Sequence, residues 1–446
     1  MESKNQKLRI VRLVGLTSKS FVQAAYGSNP ALQFQAAIEQ QNYFFENDSV
    51  FNDYFDIRMR ELGIECHSVV HDVQNIRDAW IRTSDFELTG NSNLDFLLAV
   101  IRRFNANAIF EQSAGLLDKQ MVLKLKAEIP NLALVAAHIA SPVIFENYSE
   151  HDLVFVGCES YVKPMKSVGC KKVFLLRHGF DVRLESKYNS SERSIDVSFV
   201  GNSGFRNSSY WSRYRYLDQL SRSGLLQSWS RPNQIDREVG SRWFASRLML
   251  GATIFNIVKL SIGIFSCLVI RVCAVVIVPK GFRNFITERL SRYSDDYHQL
   301  RRVEFPLNWR FPQIPFYVRD SDRSNPQVFG SEMLRVLAKS KITFHRRADL
   351  VDGCAGAMRL FEATGMGAML LTDEDSDIGL VFEPGVEVVT YSSYEDCVEK
   401  IRYFLEHESE RERIALKGQE RTFNDHSLNA RYTFVAEQLL NQFRND

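Results

Sequence analysis

Between residues 340 and 391 the sequence reads SKITFHRRADLVDGCAGAMRLFEATGMGAMLLTDEDSDIGLVFEPGVEVVTY, and its chemistry is that of an anion site. A short apolar run at 342–344 is followed by His345, Arg346 and Arg347, then by a small-residue turn at 352–356 that holds Gly353 and Gly356. A helix starting after such a turn leaves its first backbone amides free, and these favour a phosphate, a diphosphate most of all. Met358, Leu360 and Phe361 give that helix its apolar content. Arg359 and Glu362 are three residues apart and share a face. Arg359 either grips a diphosphate with its planar fork or pairs with Glu362. Gly365 and Gly367 close the helix before a buried-strand run at 368–372. Gly353, Gly356 and Gly367 are the glycines expected to frame the bound group. His345, Arg346 and Arg347 stand at the cleft end of their strand, where one of them is expected to add positive charge.

Other residues with chemistry fall at strand ends. Glu111 follows the run 107–110 and is a candidate base. His138 follows 132–137, placed either to hydrogen-bond a ligand in the cleft or to serve the structure. Glu111 and His138 are expected to point to the same cleft. Gly201 ends a strand at 196–200. Asp373, Glu374 and Asp375 copy the D-x-D spacing of Mn²⁺ or Mg²⁺ sites, but they come after two α/β units and read as a solvated acidic loop, so no metal is expected. Cys354 is a turn residue rather than a nucleophile.

The elements that must position these groups alternate strand and helix along the chain, the pattern of an open parallel sheet. Strands are expected at 8–16, 64–70, 107–110, 132–137, 154–156 and 173–176, with a long aromatic-rich helical region at 33–62. A polar linker at 186–194 leads to a second α/β unit that starts at 196–200. That unit breaks off near Ser228 and resumes near Val328. The expected organisation is a first Rossmann-like domain, 1–182, a second, 183–427, containing an insert at 229–325, and a last helix, 428–446. Two doubly wound domains in series place a cleft between them.

Composition narrows the functional classes. The chain has 446 residues, 45% hydrophobic and 24% charged, and a net charge of +1, which gives no basic face for nucleic acid. Seven scattered cysteines form no C-x-x-C pair, and the odd count argues against a disulfide framework and for a reducing compartment. The amino-terminal residues do not read as a signal peptide. Residues 248–278 are apolar, and Arg242, Arg247, Lys280, Arg283, Arg289 and Arg292 flank them. A single membrane crossing would separate strands that belong to one sheet. The reading is therefore contact with an anionic membrane surface from the cytoplasmic side, as a monotopic or re-entrant element, with a buried core element as the alternative.

The stretches MRLFEATGMGAMLLTD (358–373), FEPGVEVVTYSSYEDCVEKIRYFLEHESERERIALKGQERT (382–422) and HSLNAR (426–431) resemble the carboxyl-terminal signature of bacterial group 1 glycosyltransferases, in the branch related to CgeB proteins and polysaccharide-assembly enzymes. RMRELGIE, VAAHIASP and ESYVKPMKSVGCKKVFLLRHGFD add a looser likeness in the first half. The resemblance implies a GT-B fold with a nucleotide-sugar in the second domain, an acceptor in the first and a last helix that crosses back. It implies a metal-independent transferase with no cofactor, acting on a glycan or lipid-linked acceptor. It assigns Glu362 to the donor ribose, His138 to the donor sugar and Arg206, after Gly201, to the diphosphate. The group's earlier Glu would fall at position 354, which is Cys354, and the usual basic residue after Gly201 is Asn202. These departures keep a second class open: a GT-B-like protein that binds a nucleotide-sugar without turning it over.

Overall fold

The computed structural model describes residues 7–16, 19–48, 51–83, 92–112, 115–140, 145–202, 211–230, 324–347, 357–374 and 377–445. It holds two six-stranded sheets in which every pairing is parallel. The first has the order β2-β1-β3-β4-β5-β6, from β1 (Arg9–Val14), β2 (Glu65–Val70), β3 (Ala108–Gln112), β4 (Leu134–Ile139), β5 (Leu153–Val156) and β6 (Val173–Leu175). The second has the order β12-β11-β10-β7-β8-β9, from β7 (Ile195–Val200), β8 (Gln227–Trp229), β9 (Ser324–Asn325), β10 (Ser340–Phe344), β11 (Met369–Asp373) and β12 (Val389–Tyr391). Helices cover both faces of each sheet, which is why every residue of β4 and β11 is buried rather than alternate ones.

In the first half the helices are α1 (Lys19–Ser28), α2 (Ala37–Glu46), α3 (Tyr54–Glu61), α4 (Gln74–Thr83), α5 (Asn93–Arg103), α6 (Lys119–Glu128) and α7 (Val162–Ser167). In the second they are α8 (Arg183–Tyr188), α9 (Trp211–Arg222), α10 (Gly330–Ala338), α11 (Met358–Gly365), α12 (Tyr394–Glu406), α13 (Glu408–Asp425) and α14 (Leu428–Asn445). Several starts are fixed by side chains that accept from an orphan amide: Ser92 from Asp95, Asp118 from Met121 and Ser393 from Asp396. On the first sheet α3 and α14 cover one face, with Phe55, Phe110, Phe155 and Tyr432 in the core, and α5 and α6 cover the other. On the second, α10 and α11 lie on one face and α9, α12 and α13 on the other. The last helix packs on the first domain through Leu428, Tyr432, Val435 and Leu439.

The chain passes from the first sheet to the second through residues 177–182 and comes back at 426–428. The two passages are bonded to each other: the Phe180 amide donates to the His426 carbonyl (2.9 Å) and the Leu428 amide to the Phe180 carbonyl (2.8 Å). Phe180 is buried and stacks on Phe423. A Cβ on Gly365 would come within 2.5 Å of the Phe180 ring, so only glycine fits at the end of α11. Beside this seam Asp181 accepts from Asn52 Nδ2 (3.0 Å) and pairs with Arg183, which also reaches Asp53 of the first domain (2.9 Å).

Some expectations change. The helical region 33–62 is two helices, α2 and α3, broken at the Asn47, Asp48, Asn52 and Asp53 stretch, whose short polar side chains favour caps and turns. Its aromatic residues Phe44, Phe45, Phe51 and Phe55 are core. The polar linker begins inside α8, whose Tyr188 is buried. The second sheet continues through β8 to β9 on either side of 231–323, so the excursion departs after Trp229 and rejoins the same sheet edge at Ser324. Residues 248–278 lie outside the described residues, among which no helix is long and apolar enough to cross a membrane. Cys66, Cys170 and Cys397 are free and buried.

Candidate functional site

The carboxyl end of the second sheet concentrates positive charge around one buried imidazole. His345 follows β10, and its Nδ1 lies 3.0 Å from Thr372 Oγ1 on β11. Burial first, and then Arg213, Arg359, Arg346 and Arg347, hold His345 well below the usual imidazole range, so it is neutral at physiological pH. Each arginine is held in place. Arg213 of α9 donates to the Arg346 carbonyl (2.8 Å) and the Asn202 carbonyl (3.2 Å). Arg346 donates to Ser212 Oγ (2.9 Å) and lies over the Tyr216 ring at 4.1 Å. Arg347 faces Asp373 at 3.3 Å, and its amide donates to the same carboxylate (3.1 Å). Arg359 of α11 lies 2.8 Å from Glu362, close enough for an ion pair though not aligned as a hydrogen bond. Tyr391 of β12 is buried against Phe344 and donates its hydroxyl to the His345 carbonyl (2.9 Å). Among the described residues, Asp373 and Glu362 are the carboxylates that face two of the four arginines, Arg347 and Arg359.

The carboxyl end of the first sheet is different. His138, near the end of β4, is buried and its Nε2 is 3.0 Å from the Leu176 carbonyl. A carbonyl only accepts, so Nε2 carries the proton and Nδ1 the lone pair. Desolvation holds this imidazole down to about 4, and that of His178, whose ring is 5.7 Å away, to about 3. Glu111 of β3 is fully buried, and burial pushes its carboxyl up to about 7. Its Oε1 accepts from the Leu116 (2.7 Å) and Leu117 (3.2 Å) amides, while Oε2 is buried without a partner.

The two ends meet along short contacts. Met358, the first residue of α11, packs against the first-domain cluster that includes Val14 and Leu16 at the end of β1. Phe361, beside Glu362, lies 5.1 Å from His426, which accepts at Nδ1 from Arg431 (2.8 Å) because its Nε2 donates to the Val381 carbonyl (2.8 Å).

Residues 297–441 match the family described as glycosyl transferase-like. Among curated proteins none matches the chain. Solved structures resemble it over nearly its full length. A glycosyltransferase from Rickettsia africae ESF-5 has a TM-score of 0.52 at 11% identity, over 99% of this chain and 100% of that one. Sucrose-phosphate synthase from Thermosynechococcus elongatus gives 0.52 at 8%, over 99% and 100%. Anabaena HepE in complex with UDP and glucose gives 0.50 at 10%, over 97% and 99%. The family match thus falls in the second domain and the last helix, and the two parallel-sheet domains have the GT-B fold of the solved glycosyltransferases. Neither finding bears on the CgeB-related branch.

Set on the GT-B frame, the residues singled out from the sequence separate. Glu362, Arg359, His345 and Gly201 all lie toward the carboxyl end of the second sheet, Gly201 directly after β7 with a φ of +150°. Gly353, Gly356, Arg206 and Cys354 lie outside the described residues. Gly367 is a correction. It sits at the amino end of β11, with a φ of +73° and Arg193 where its Cβ would be, so it closes α11 and lies at the opposite end of the sheet from His345. Glu111 and His138 are a second correction. The pleat alternates, so Glu111 follows Ile109 on the face covered by α5 and α6, whereas His138 follows Leu134 and Ala136 on the face covered by α14. They do not act as a pair. Asp373 is a third, since it is a buried partner of Arg347 rather than part of a solvated loop. Among the described residues no His, Cys, Asp or Glu cluster has the form of a metal site. Arg213 and Tyr391 were missed. The only signal for Arg213 was its place in a basic, aromatic helix, which most solvated helix faces share.

Proposed function

We propose that this protein transfers a sugar from a nucleotide diphosphate sugar, held at the carboxyl end of the second sheet, to an acceptor held by the first domain. The observation that carries this is the group of four arginines around neutral His345. A leaving nucleoside diphosphate develops negative charge at its phosphates, and fixed guanidinium groups answer that charge without a metal. On binding, Arg359 would turn from Glu362 to the diphosphate, freeing Glu362 to accept from the two ribose hydroxyls. That HepE was solved with UDP and glucose supports a uridine nucleotide as the first ligand to try. The apolar run 248–278 with its basic flanks supports an acceptor at a membrane surface, a growing polysaccharide or a lipid-linked glycan. A second reading, binding without turnover, is favoured by Cys354 at the position where the resemblance expects Glu.

Calorimetric titration with UDP, GDP and uridine, followed by donor turnover in the presence of EDTA, tests the proposal. A nucleoside diphosphate should bind at least roughly tenfold tighter than its nucleoside, since charge-assisted bonds to phosphate carry the difference. Turnover should persist in EDTA. Equal affinity for UDP and uridine would refute the phosphate site, and tight binding with no turnover of any donor would establish the second reading.

A further inference from the structure

Where β6 runs into the crossing between the domains, two arginines have no anionic partner. Arg177 makes no hydrogen bond or ion pair among the described residues. Arg431 of α14 is bonded only to neutral groups, donating to His426 Nδ1 (2.8 Å) and toward the His178 carbonyl (3.5 Å). The carboxylate that bears on it, Asp425, is already paired with Arg421. Burial and the nearby Arg177 draw the Arg431 guanidinium down to about 10, the signature of two cations held together without a counter-charge. His178, whose carbonyl Arg431 approaches, lies beside them, and the His138 ring is 5.7 Å from that of His178. Holding a half-buried guanidinium next to another cation costs stability unless an anion arrives to bridge them.

We infer that Arg177 and Arg431, flanked by His138 and His178, form a second anion subsite that takes a carboxylate or phosphate carried by a sugar in the cleft. It is separate from the cluster around His345, being built on β6 and α14 rather than on β10, β11 and α9. The inference rests on the sugar-transfer reading. A planar guanidinium pair suits the two or three oxygens of a carboxylate or phosphate ester. The anion has two possible carriers, the acceptor or the sugar being transferred.

The test titrates the full-length protein with glucose, glucuronate and glucose 1-phosphate, each with and without saturating UDP, and separately with UDP-glucose and UDP-glucuronate. At least one anionic sugar should bind roughly tenfold tighter than its neutral counterpart. Arg177→Ala should abolish that difference, Arg177→Lys should retain part of it, and neither should change the affinity for UDP alone. Because Arg177 has no internal partner, the variants should melt as the parent does. A preference among the free sugars places the anion on the acceptor. A preference only between the UDP-sugars places it on the transferred sugar. Either upholds the subsite. Equal affinity within every pair overturns it, as does a preference that survives Arg177→Ala. The free sugars are also titrated without UDP, so a failure of UDP to bind sinks the nucleotide reading while the preference for anionic sugars stays readable.

Discussion

At the carboxyl end of the second sheet four arginines surround a neutral histidine, whereas at the same end of the first sheet His138 and Glu111 are buried with no arginine bonded to either. Both ends come from the same topology, six parallel strands with helices on both faces. The difference lies in what burial does at each. In the second domain burial keeps His345 uncharged, so that every positive charge nearby belongs to a guanidinium, which holds its proton at any working pH. In the first domain burial leaves His138 a neutral hydrogen-bonding group, and the fixed positive charge near it is that of Arg177 and Arg431. Two of the arginines around His345 are also paired before any ligand arrives, Arg347 with Asp373 and Arg359 with Glu362. The site is thereby charged enough to attract a diphosphate without leaving each cation unpaired in its absence.

The contrast can be broken most forcefully at Arg346. Arg346→Ala should weaken UDP binding roughly 10- to 100-fold, the cost of one charged hydrogen-bonding group, read by titration. A change under twofold would mean that the cluster is structural. Glu362→Ala separates ribose from phosphate. It should cost roughly tenfold in UDP affinity and nothing for bare pyrophosphate, because Arg359 is then free of its partner. Parallel losses for both ligands would place Glu362 among the structural groups instead.

The smallest effect is in the pH dependence. Burial holds His138 at about 4, His151 at about 3 and His426 at about 4. In the unfolded chain these imidazoles protonate near 6.5, so between about 6.5 and 4 the unfolded state binds more protons and stability falls as pH falls. Glu111, raised to about 7, runs the other way, since the folded state keeps its proton and loses stability as pH rises from about 4.5 to 7. His138 and His151 of the first domain and His345 at the end of β10 all stay neutral in the folded protein, so the melting temperature should fall from pH 7 to pH 5. A melting temperature that holds or rises over that range would contradict the burial of these histidines.

Much of this fold could be read directly. Strands at 8–16, 132–137, 342–344 and 368–372 correspond to β1, β4, β10 and β11 because buried parallel strands are apolar throughout and end at Gly, Asn or charged turns. Glu362 and Arg359 were legible because i and i+3 always share a helix face. β8 and β9 were not, being three and two residues long and separated by 94 residues of sequence. Nor was Gly367, since a glycine that stops a helix and one that cradles a phosphate look alike until the strand direction is known.

By itself the sequence determined which segments are strands and helices, that they alternate in two runs, and that a basic, glycine-containing stretch precedes α11, because these depend on contacts a few residues apart. Tertiary structure decided which charges share a site. Arg213 and Arg346 are 133 residues apart and meet only because β7 and β10 are neighbours in the sheet. It also decided that Glu111 and His138, both at strand ends, lie on opposite faces of one sheet. That outcome rests on the register of each pleat against its neighbours, which shifts by a whole face for every residue of slip.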